Sequence, residues 1–179
     1  SRINLPDFTM MWSASCAKAT LSSAGCGRYF FPAKEIEFLR VALVATPYPL
    51  EENPSPPLGV TYVAAAFIAA GADVRIFDYI VGGYSLEKIS RQLNDFEPDV
   101  VGATSVTMNF YDAQRILRDV KSCNPEILTM MGGPHVSFTA VQTLRQHPEI
   151  DLIVIGEAED TIAEFVPVLK HKEKWRNIR

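Results

Sequence analysis

The stretch Val41-Ala42-Leu43-Val44-Ala45 (residues 41–45) is a short apolar run that is followed by a loop rich in proline. Such a run predicts a buried strand. Similar apolar runs, rich in β-branched residues, recur at Val74–Phe77, Val100–Ala103, Leu128–Met131 and Leu152–Ile155. Strands with so few polar residues are typical of a sheet that helices cover on both faces.

Amphipathic segments of helical period separate these strands. They lie at Val60–Ala70, Leu86–Phe96, Ala113–Ser122, Ala140–Gln146 and Thr161–Leu169. Gly71 and Pro98 are expected to end the first two helices, because neither residue continues helical hydrogen bonding well. Strands that alternate with crossover helices run parallel. The sequence therefore predicts an α/β fold, a flavodoxin-like (Rossmann-like) doubly wound sheet of five parallel strands in the order 2-1-3-4-5.

The regular pattern covers only part of the chain. We expect one domain at residues 40–171, with residues 172–179 starting a linker to a catalytic domain. Residues 1–39 lack helical or strand periodicity and form an irregular N-terminal extension, which is a leader, an expression remnant or an arm that packs on a neighbour.

Composition limits the classes of partner. The net charge is −4 and there is no basic block, so nucleic acid and an anionic membrane surface are unlikely partners by charge. No apolar run is long enough to cross a bilayer. The 3 cysteines are odd in number and irregularly spaced, which indicates a reducing, cytoplasmic compartment.

A ligand of such a sheet lies beyond the carboxyl ends of the strands, near the switch between strands one and three. This rule selects the loops Thr46–Leu58, Thr104–Asn109, Gly132–Phe138 and Gly156–Asp160. The candidate ligand-binding residues on them are Pro47, Tyr48, Pro56, Pro57, Leu58, Gly59, Thr104, Ser105, Val106, Thr107, Asn109, Gly132, Gly133, Pro134, His135, Gly156 and Glu157.

Each loop has a ligand-binding interpretation and a structural one. Prolines stiffen the first loop for clamping a ligand, or simply form a rigid turn. Hydroxyls on the second would bind phosphate or ribose, or would cap a helix. Glycines in the third permit close approach of a bulky ligand, or form a tight turn. For the acids of the fourth, favourable placement at a helix N-terminus is the better interpretation.

Several common chemistries lack their motifs. There is no G-x-G-x-x-G after the first strand and no G-x-x-x-x-G-K-[ST], so the phosphate loops of dinucleotide and nucleoside-triphosphate sites are missing. The third strand ends in Ala103-Thr104-Ser105 rather than in a phosphoacceptor aspartate. No catalytic triad is suggested either.

Four motifs in order along the chain resemble the cobalamin-binding domain of cobalamin-dependent radical SAM enzymes, of the anaerobic magnesium-protoporphyrin monomethyl ester cyclase and methyltransferase type. Residues 56–65, Pro-Pro-Leu-Gly-Val-Thr-Tyr-Val-Ala-Ala, resemble its P-P-[LI]-G-[LI]-x-[YS]-[LI]-A-[AS] segment. Residues 98–102 resemble its P-D-[VL]-[VI]-G, residues 132–135 its G-G-x-H, and residues 155–159 its x-G-E-[GA]-E.

The resemblance implies cobalamin as cofactor, with its nucleotide tail inserted between sheet and helices. The related domain of methionine synthase coordinates cobalt through the histidine of a D-x-H-x-x-G loop. Alignment on Gly59 places Pro54 and Pro56 at that Asp and His, so the resemblance implies base-off cobalamin without histidine ligation. Thr104-Ser105-Val106 stands where that relative has the S-x-L of its tail pocket, Gly132-Gly133 stands where it has G-G, and His135 is expected to be a wall of the pocket.

The resemblance also implies a radical SAM catalytic domain, in the same or another chain, that would hold the [4Fe–4S] cluster and S-adenosylmethionine. This sequence has no C-x-x-x-C-x-x-C triplet, so it is not expected to be catalytic alone. Two alternatives stay open: a flavodoxin-like sensing or docking module without a cofactor, and a flavin-binding enzyme of the same fold. Flavin would require a Ser/Thr-rich loop where Thr46–Leu58 has prolines and acids.

Overall fold

A computed structural model describes residues 38–48, 57–169, 171 and 175. Its sheet has five parallel strands in the order β2-β1-β3-β4-β5, which confirms the predicted fold. The elements are β1 (Arg40–Ala45), α1 (Leu58–Ala69), β2 (Asp73–Asp78), α2 (Leu86–Phe96), β3 (Val100–Thr104), α3 (Phe110–Cys123), β4 (Leu128–Gly132), α4 (Pro134–Gln146), β5 (Leu152–Ile153), α5 (Glu159–Phe165) and a 3₁₀ turn (Val166–Val168). The predicted N-terminal extension and linker lie almost entirely outside the described residues.

The sheet separates two apolar cores. Because successive strand residues point to opposite faces, Val41 and Leu43 of β1 pack on one side and Ala42 and Val44 on the other. The first side is covered by α1 and α5, and the second by α2, α3 and the start of α4. This two-sided burial explains why the central strands carry almost no polar residues.

The helix α1 ends at its predicted glycine, and the helix α2 begins after a capping serine. Gly71 has a φ of +91°, and its amide and that of Ala72 donate to the carbonyls of Ile68 and Phe67, which closes the last turn of α1. The helix α2 begins after Ser85, whose hydroxyl accepts from the Lys88 amide at 3.2 Å.

Several predicted boundaries near the carboxyl edge were wrong, and those of α4 and β5 change the loops there. The helix α4 begins at Pro134 rather than at Ala140, so the loop after β4 is far shorter than Gly132–Phe138. Proline suits the first helical turn, where its missing N–H leaves no bond unmade. The strand β5 covers only Leu152–Ile153 instead of Leu152–Ile155, because only its first residues pair with β4.

A polar cluster fixes the start of β5 against β4. The Asp151 carboxylate accepts from the Thr129 amide at 2.8 Å and pairs with the Lys121 ammonium at 2.6 Å. Partial burial alone would raise the pKa of Asp151, but the bonds from Lys121 and Thr129 outweigh it and lower that pKa. Side-chain bonds therefore hold the N-terminal end of β5 to β4, whereas strand pairing stops at Ile153 at its C-terminal end. None of the helices in the described ranges is long and apolar enough to cross a membrane.

Candidate cofactor site

The loops after β1 and β3 meet at the carboxyl edge of the sheet, as parallel topology requires. The buried Thr46 hydroxyl donates to the Thr104 carbonyl at 3.0 Å, which joins the two strand ends. Beyond it, the Tyr48 hydroxyl lies 3.4 Å from the Met108 sulfur. Pro47 is half-buried beside this contact. Both predicted residues therefore lie at the expected edge, whereas Pro56 lies outside the described residues.

The loop between β3 and α3 is held by its own last residue. The buried Asn109 accepts from the Val106 amide through Oδ1 at 2.8 Å, and its own amide donates to the Val106 carbonyl at 3.2 Å. This reciprocal pair is a local side-chain turn of the kind that Asn favours. Asn109, a predicted ligand contact, thus shapes the loop that carries Ser105.

Ser105 is fully buried, and its hydroxyl is the buried side-chain polar atom that has no hydrogen-bond partner within the described ranges. Its backbone is fully used: the amide donates to the Gly132 carbonyl at 2.9 Å, and the carbonyl accepts from the His135 amide at 3.4 Å. Leaving a buried hydroxyl without a partner costs about 1–3 kcal/mol.

Gly133 lies directly against that loop. Its φ is +105°, a conformation that residues with a Cβ rarely adopt. A Cβ built there would lie 2.5 Å from the Ser105 carbonyl oxygen and 3.0 Å from the Thr104 Oγ1. The sequence G-G-P therefore permits two backbone segments to touch at the carboxyl edge, and no other residue type fits without moving one of them.

His135 is engaged in the first turn of α4. Its Nδ1 lies 3.2 Å from the Thr107 Oγ1, and its ring packs on Phe110 with 4.6 Å between ring centres. The ring is not among the groups that line the cavity described below. Its expected role as a pocket wall stays a prediction.

The loop after β5 is bound to the start of α4 by one hydroxyl. The Ser137 Oγ donates to the Gly133 carbonyl at 3.0 Å and accepts from the Gly156 amide at 3.1 Å. Gly156 has a φ of +72° and is followed by the exposed Glu157. Glu159 and Asp160 lie in the first turn of α5, where acidic side chains are favourably placed, but neither side chain forms a capping hydrogen bond.

A cavity of about 400 Å³ lies between the sheet and the helices α1 and α5. Its wall includes seven predicted residues: Gly59, Thr104, Gly132, Gly133, Pro134, Gly156 and Glu157. The described predicted residues outside its lining are Pro47, Tyr48, Pro57, Leu58, Ser105, Val106, Thr107, Asn109 and His135. The structure thus brings residues of three of the four predicted loops to one cavity. Gly59, at the start of α1, also lines this cavity.

Sequence reasoning missed the apolar walls of the cavity. They come from Leu43, Gly102 and Met130 of the sheet, from Val60 and Val63 of α1, from Val154 directly after β5, and from Ile162 of α5. The strand residues share one face by their period of two, which was available from the sequence. A glycine inside a buried strand is a further signal that something approaches the backbone closely.

The chemistry of the cavity suits a large, mainly apolar ligand group. Apolar side chains form its walls, while backbone groups, one threonine and exposed acids lie at the carboxyl edge. Within the described part of the chain, no group of three or more His, Cys, Asp or Glu side chains would hold a metal ion directly.

Comparison with known proteins supports this interpretation. The model of the family described as "B12 binding domain" matches residues 52–166. The chain is 37% identical over 123 residues to an uncharacterized methyltransferase of Pyrococcus horikoshii, covering 69% of this chain and 27% of that protein. It is 37% identical over 112 residues to the anaerobic magnesium-protoporphyrin IX monomethyl ester cyclase of Rubrivivax gelatinosus, covering 62% of this chain and 20% of that protein.

A solved structure shows the same fold. The radical S-adenosylmethionine methyltransferase TsrM of Kitasatospora setae, solved with cobalamin and a [4Fe–4S] cluster, superposes with a TM-score of 0.67 at 16% identity, covering 79% of this chain and 28% of that one. The chain thus spans 20–28% of these three proteins. Because the family model covers residues 52–166, more than half of the 179 residues, the chain belongs to the B12-binding domain family.

Proposed function

We propose that this domain binds cobalamin, with the nucleotide tail of the cofactor in the cavity and the corrin ring over the carboxyl edge of the sheet. The observation that carries the proposal is the cavity of about 400 Å³ between the sheet and α1 and α5, which reaches the edge formed by Thr104, Gly133 and Gly156. An apolar cleft with a few polar groups at its mouth is the common form of a cofactor site.

Two features of the edge fit such a ligand. The unpartnered Ser105 hydroxyl would gain a hydrogen-bond partner when a polar atom of the tail reaches it. Gly133 lets the start of α4 lie directly against the Thr104–Ser105 segment, because any side chain there would overlap that segment and displace this edge of the cavity. The unpartnered hydroxyl would serve ligand binding alone, whereas Gly133 also shapes the edge in the free domain.

We further propose that the cofactor is bound base-off and without histidine ligation. Residues 46–58, which follow β1, contain no histidine. His135 is directed to Thr107 and Phe110 instead of to the cavity. The cofactor would supply cobalt-centred methyl transfer or one-electron chemistry when bound. This chain would hold the tail, orient the ring and keep water from its lower face.

The relatives suggest the enzyme in which such a domain works. They are named as methyltransferases and as a cyclase, and they are several times longer than the matched segment. We propose that this domain is the cofactor module of a radical SAM enzyme in the cytoplasm, and that a companion domain holds the cluster and S-adenosylmethionine. The exposed free thiol of Cys123 is consistent with a reducing compartment.

Equilibrium dialysis against hydroxocobalamin tests binding directly. We expect the corrinoid to be retained at micromolar concentrations, with an absorption spectrum that differs from that of the free cofactor. Absence of retained corrinoid at high micromolar concentration would refute the proposal.

Electron paramagnetic resonance of the Co(II) form tests the ligation. The protein is prepared with and without nitrogen-15 histidine. We expect no axial nitrogen splitting in either sample. Splitting that changes with the label would demonstrate a histidine ligand. Splitting that is the same in both samples would identify the base of the cofactor as the ligand, which would refute base-off binding but not the absence of a histidine ligand.

A further inference from the structure

The indole of Trp175 packs against the last residue of α5. Its ring centre lies 5.5 Å from that of Phe165, and the two ring planes are inclined by 59°. Its Nε1 donates to the carbonyl of Val168, in the 3₁₀ turn that follows α5, at 3.2 Å. One side chain therefore holds both the end of α5 and the turn after it.

The half-buried Trp175 also lies near the amino edge of the sheet. It shares the lining of a surface groove with Arg40 at the start of β1, with Leu128 at the start of β4, and with Asp99, which directly precedes β3. The indole is thus close to the beginnings of three strands as well as to α5. A side chain in this position restrains the helix relative to the sheet.

The helix α5 depends on contacts of this kind. It has 7 residues, fewer than a helix needs to be stable alone in water, and no side chain caps its first turn by a hydrogen bond. The strand before it, β5, pairs with β4 over two residues. Contacts with the rest of the domain therefore set the position of α5.

Phe165 connects Trp175 to the cofactor cavity. It lies three residues after Ile162, so the two side chains are neighbours on adjacent turns of the same helix face. Both are buried. Ile162 belongs to the core that also contains Leu43 of β1, and both residues line the cavity. A shift of α5 at Phe165 would therefore move Ile162 relative to the sheet and change the width of the cavity.

We propose that Trp175 is a positioning residue for the cofactor cavity. By holding Phe165 and Val168 it keeps Ile162 close to the sheet, and so it slows the release of a ligand bound between them. This inference rests on the proposed cobalamin binding and adds a residue that acts on that site from outside it. Trp175 lies in the predicted linker, residues 172–179, and is not among the residues that line the cavity.

The rate at which hydroxocobalamin leaves the full chain tests this role. Trp175→Ala removes the ring contact and the hydrogen bond, and we expect release about tenfold faster than from the wild type, as the loss of one aromatic contact and one hydrogen bond allows. Trp175→Phe keeps a ring against Phe165 and should restore most of the slow release. Timed filtration after dilution measures the rates.

Tyr84→Ala is the matched control on the other side of the sheet. The half-buried Tyr84 packs edge-to-face on Tyr79, with 5.2 Å between ring centres, and its hydroxyl donates to the Asp119 carboxylate. This variant also loses an aromatic contact and a hydrogen bond, but beside the core that α2 and α3 cover. Urea unfolding should show a loss of stability in Tyr84→Ala and in Trp175→Ala, whereas release should be faster only in Trp175→Ala.

Cleavage by a glutamate-specific protease measures the movement of α5 without any cofactor. The helix α5 carries the exposed Glu164, and α2 carries the exposed Glu87 for comparison. Proteolysis follows the population of locally opened segments, so Trp175→Ala should be cleaved about tenfold faster than the wild type after Glu164. Cleavage after Glu87 should keep its wild-type rate.

The other outcomes separate this inference from the proposed function. Unchanged cleavage after Glu164 in Trp175→Ala, or faster cleavage with unchanged corrinoid release, overturns the role of Trp175 and leaves cobalamin binding intact. Equally fast release from Tyr84→Ala also overturns it, because release would then follow general stability. Failure of the wild type to bind corrinoid refutes the proposed function and this inference with it. If Trp175→Ala does not fold, Trp175→Leu, which keeps an apolar side chain, is judged by the same outcomes.

Discussion

The replacement of Gly133 by alanine should damage both stability and cofactor binding, and the structure gives the size of each effect. At a φ of +105° an alanine is strained by about 1–2 kcal/mol whatever its surroundings. Its Cβ would also lie 2.5 Å from the Ser105 carbonyl oxygen, and the obstructing atom belongs to the backbone. Overpacking of this kind costs about 1–3 kcal/mol more. We therefore expect a total loss of about 2–5 kcal/mol in the free energy of unfolding.

Gly71→Ala separates the two contributions. Gly71 has a φ of +91°, and a Cβ built there meets nothing within 4 Å. This control carries the backbone strain without the overlap, at the end of α1 away from the cavity. Its loss of stability should be about 1–2 kcal/mol, and its affinity for cobalamin should equal that of the wild type.

Urea unfolding followed by circular dichroism measures the stabilities, and dialysis measures the affinities. Gly133→Val extends the series, because a β-branched side chain would block the edge completely while the far-ultraviolet spectrum stays near that of the wild type. The reasoning fails if Gly133→Ala is no less stable than Gly71→Ala and binds cobalamin as the wild type does. That result would mean that the Ser105 loop moves freely and does not border the ligand.

Substitutions at three further residues probe single interactions. Ser105→Ala should leave the free domain as stable as the wild type or more stable by about 1 kcal/mol, yet weaken cobalamin binding. Thermal melts with and without cofactor measure both effects. A large loss of stability would show that the Ser105 hydroxyl has a hydrogen-bond partner in the free domain. Asn109→Ala should lower the free energy of unfolding by about 1–2 kcal/mol and weaken binding, whereas Asn109→Asp retains the acceptor oxygen and should restore both. Asp151→Asn should cost about 1 kcal/mol at pH 7. The bonds from Lys121 and Thr129 lower the pKa of Asp151 in the folded state. The stability that the ionised carboxylate contributes is therefore complete above the ordinary carboxyl pKa of about 3.9. It is lost as the pH falls through the pKa of the folded state. Urea midpoints of both proteins should therefore converge in acid, and a difference that persists there would refute the assignment.

The fold could be predicted because its signals are local and agree with one another. The helical period and Pro98 predicted Leu86–Phe96 to the residue, and the Ser85 cap that precedes the helix was a further signal. The start of α4 was missed because the Gly-Gly-Pro turn resembles a longer loop, and only the backbone angles at Gly133 show that the helix begins at once. The end of β5 was missed because apolar residues continue past the last pairing with β4.

The candidate site was predicted in its loops but not in its walls. Parallel topology forces the strand ends together, so Thr104, Gly133 and Gly156 could be expected at one edge. Leu43 and Ile162 look like ordinary core residues, since a cavity beside an apolar side chain leaves no trace in the sequence. The direction of the His135 ring depends on its contacts with Phe110 and Thr107, which sequence spacing does not determine.

The brevity of β5 determines where the domain opens most readily. Beyond Ile153 the chain makes one more bond to β4, from the Val154 amide to the Met131 carbonyl at 2.9 Å, and then leaves the sheet. Segments with few backbone bonds are the first to undergo local unfolding, and Val154 and Ile162 on this segment form one side of the cavity. Amide hydrogens of α5 should therefore exchange faster than those of β1 and β3. A ligand bound between α5 and the sheet would slow that exchange, so the exchange rate of the α5 amides would serve as a direct measure of cofactor binding.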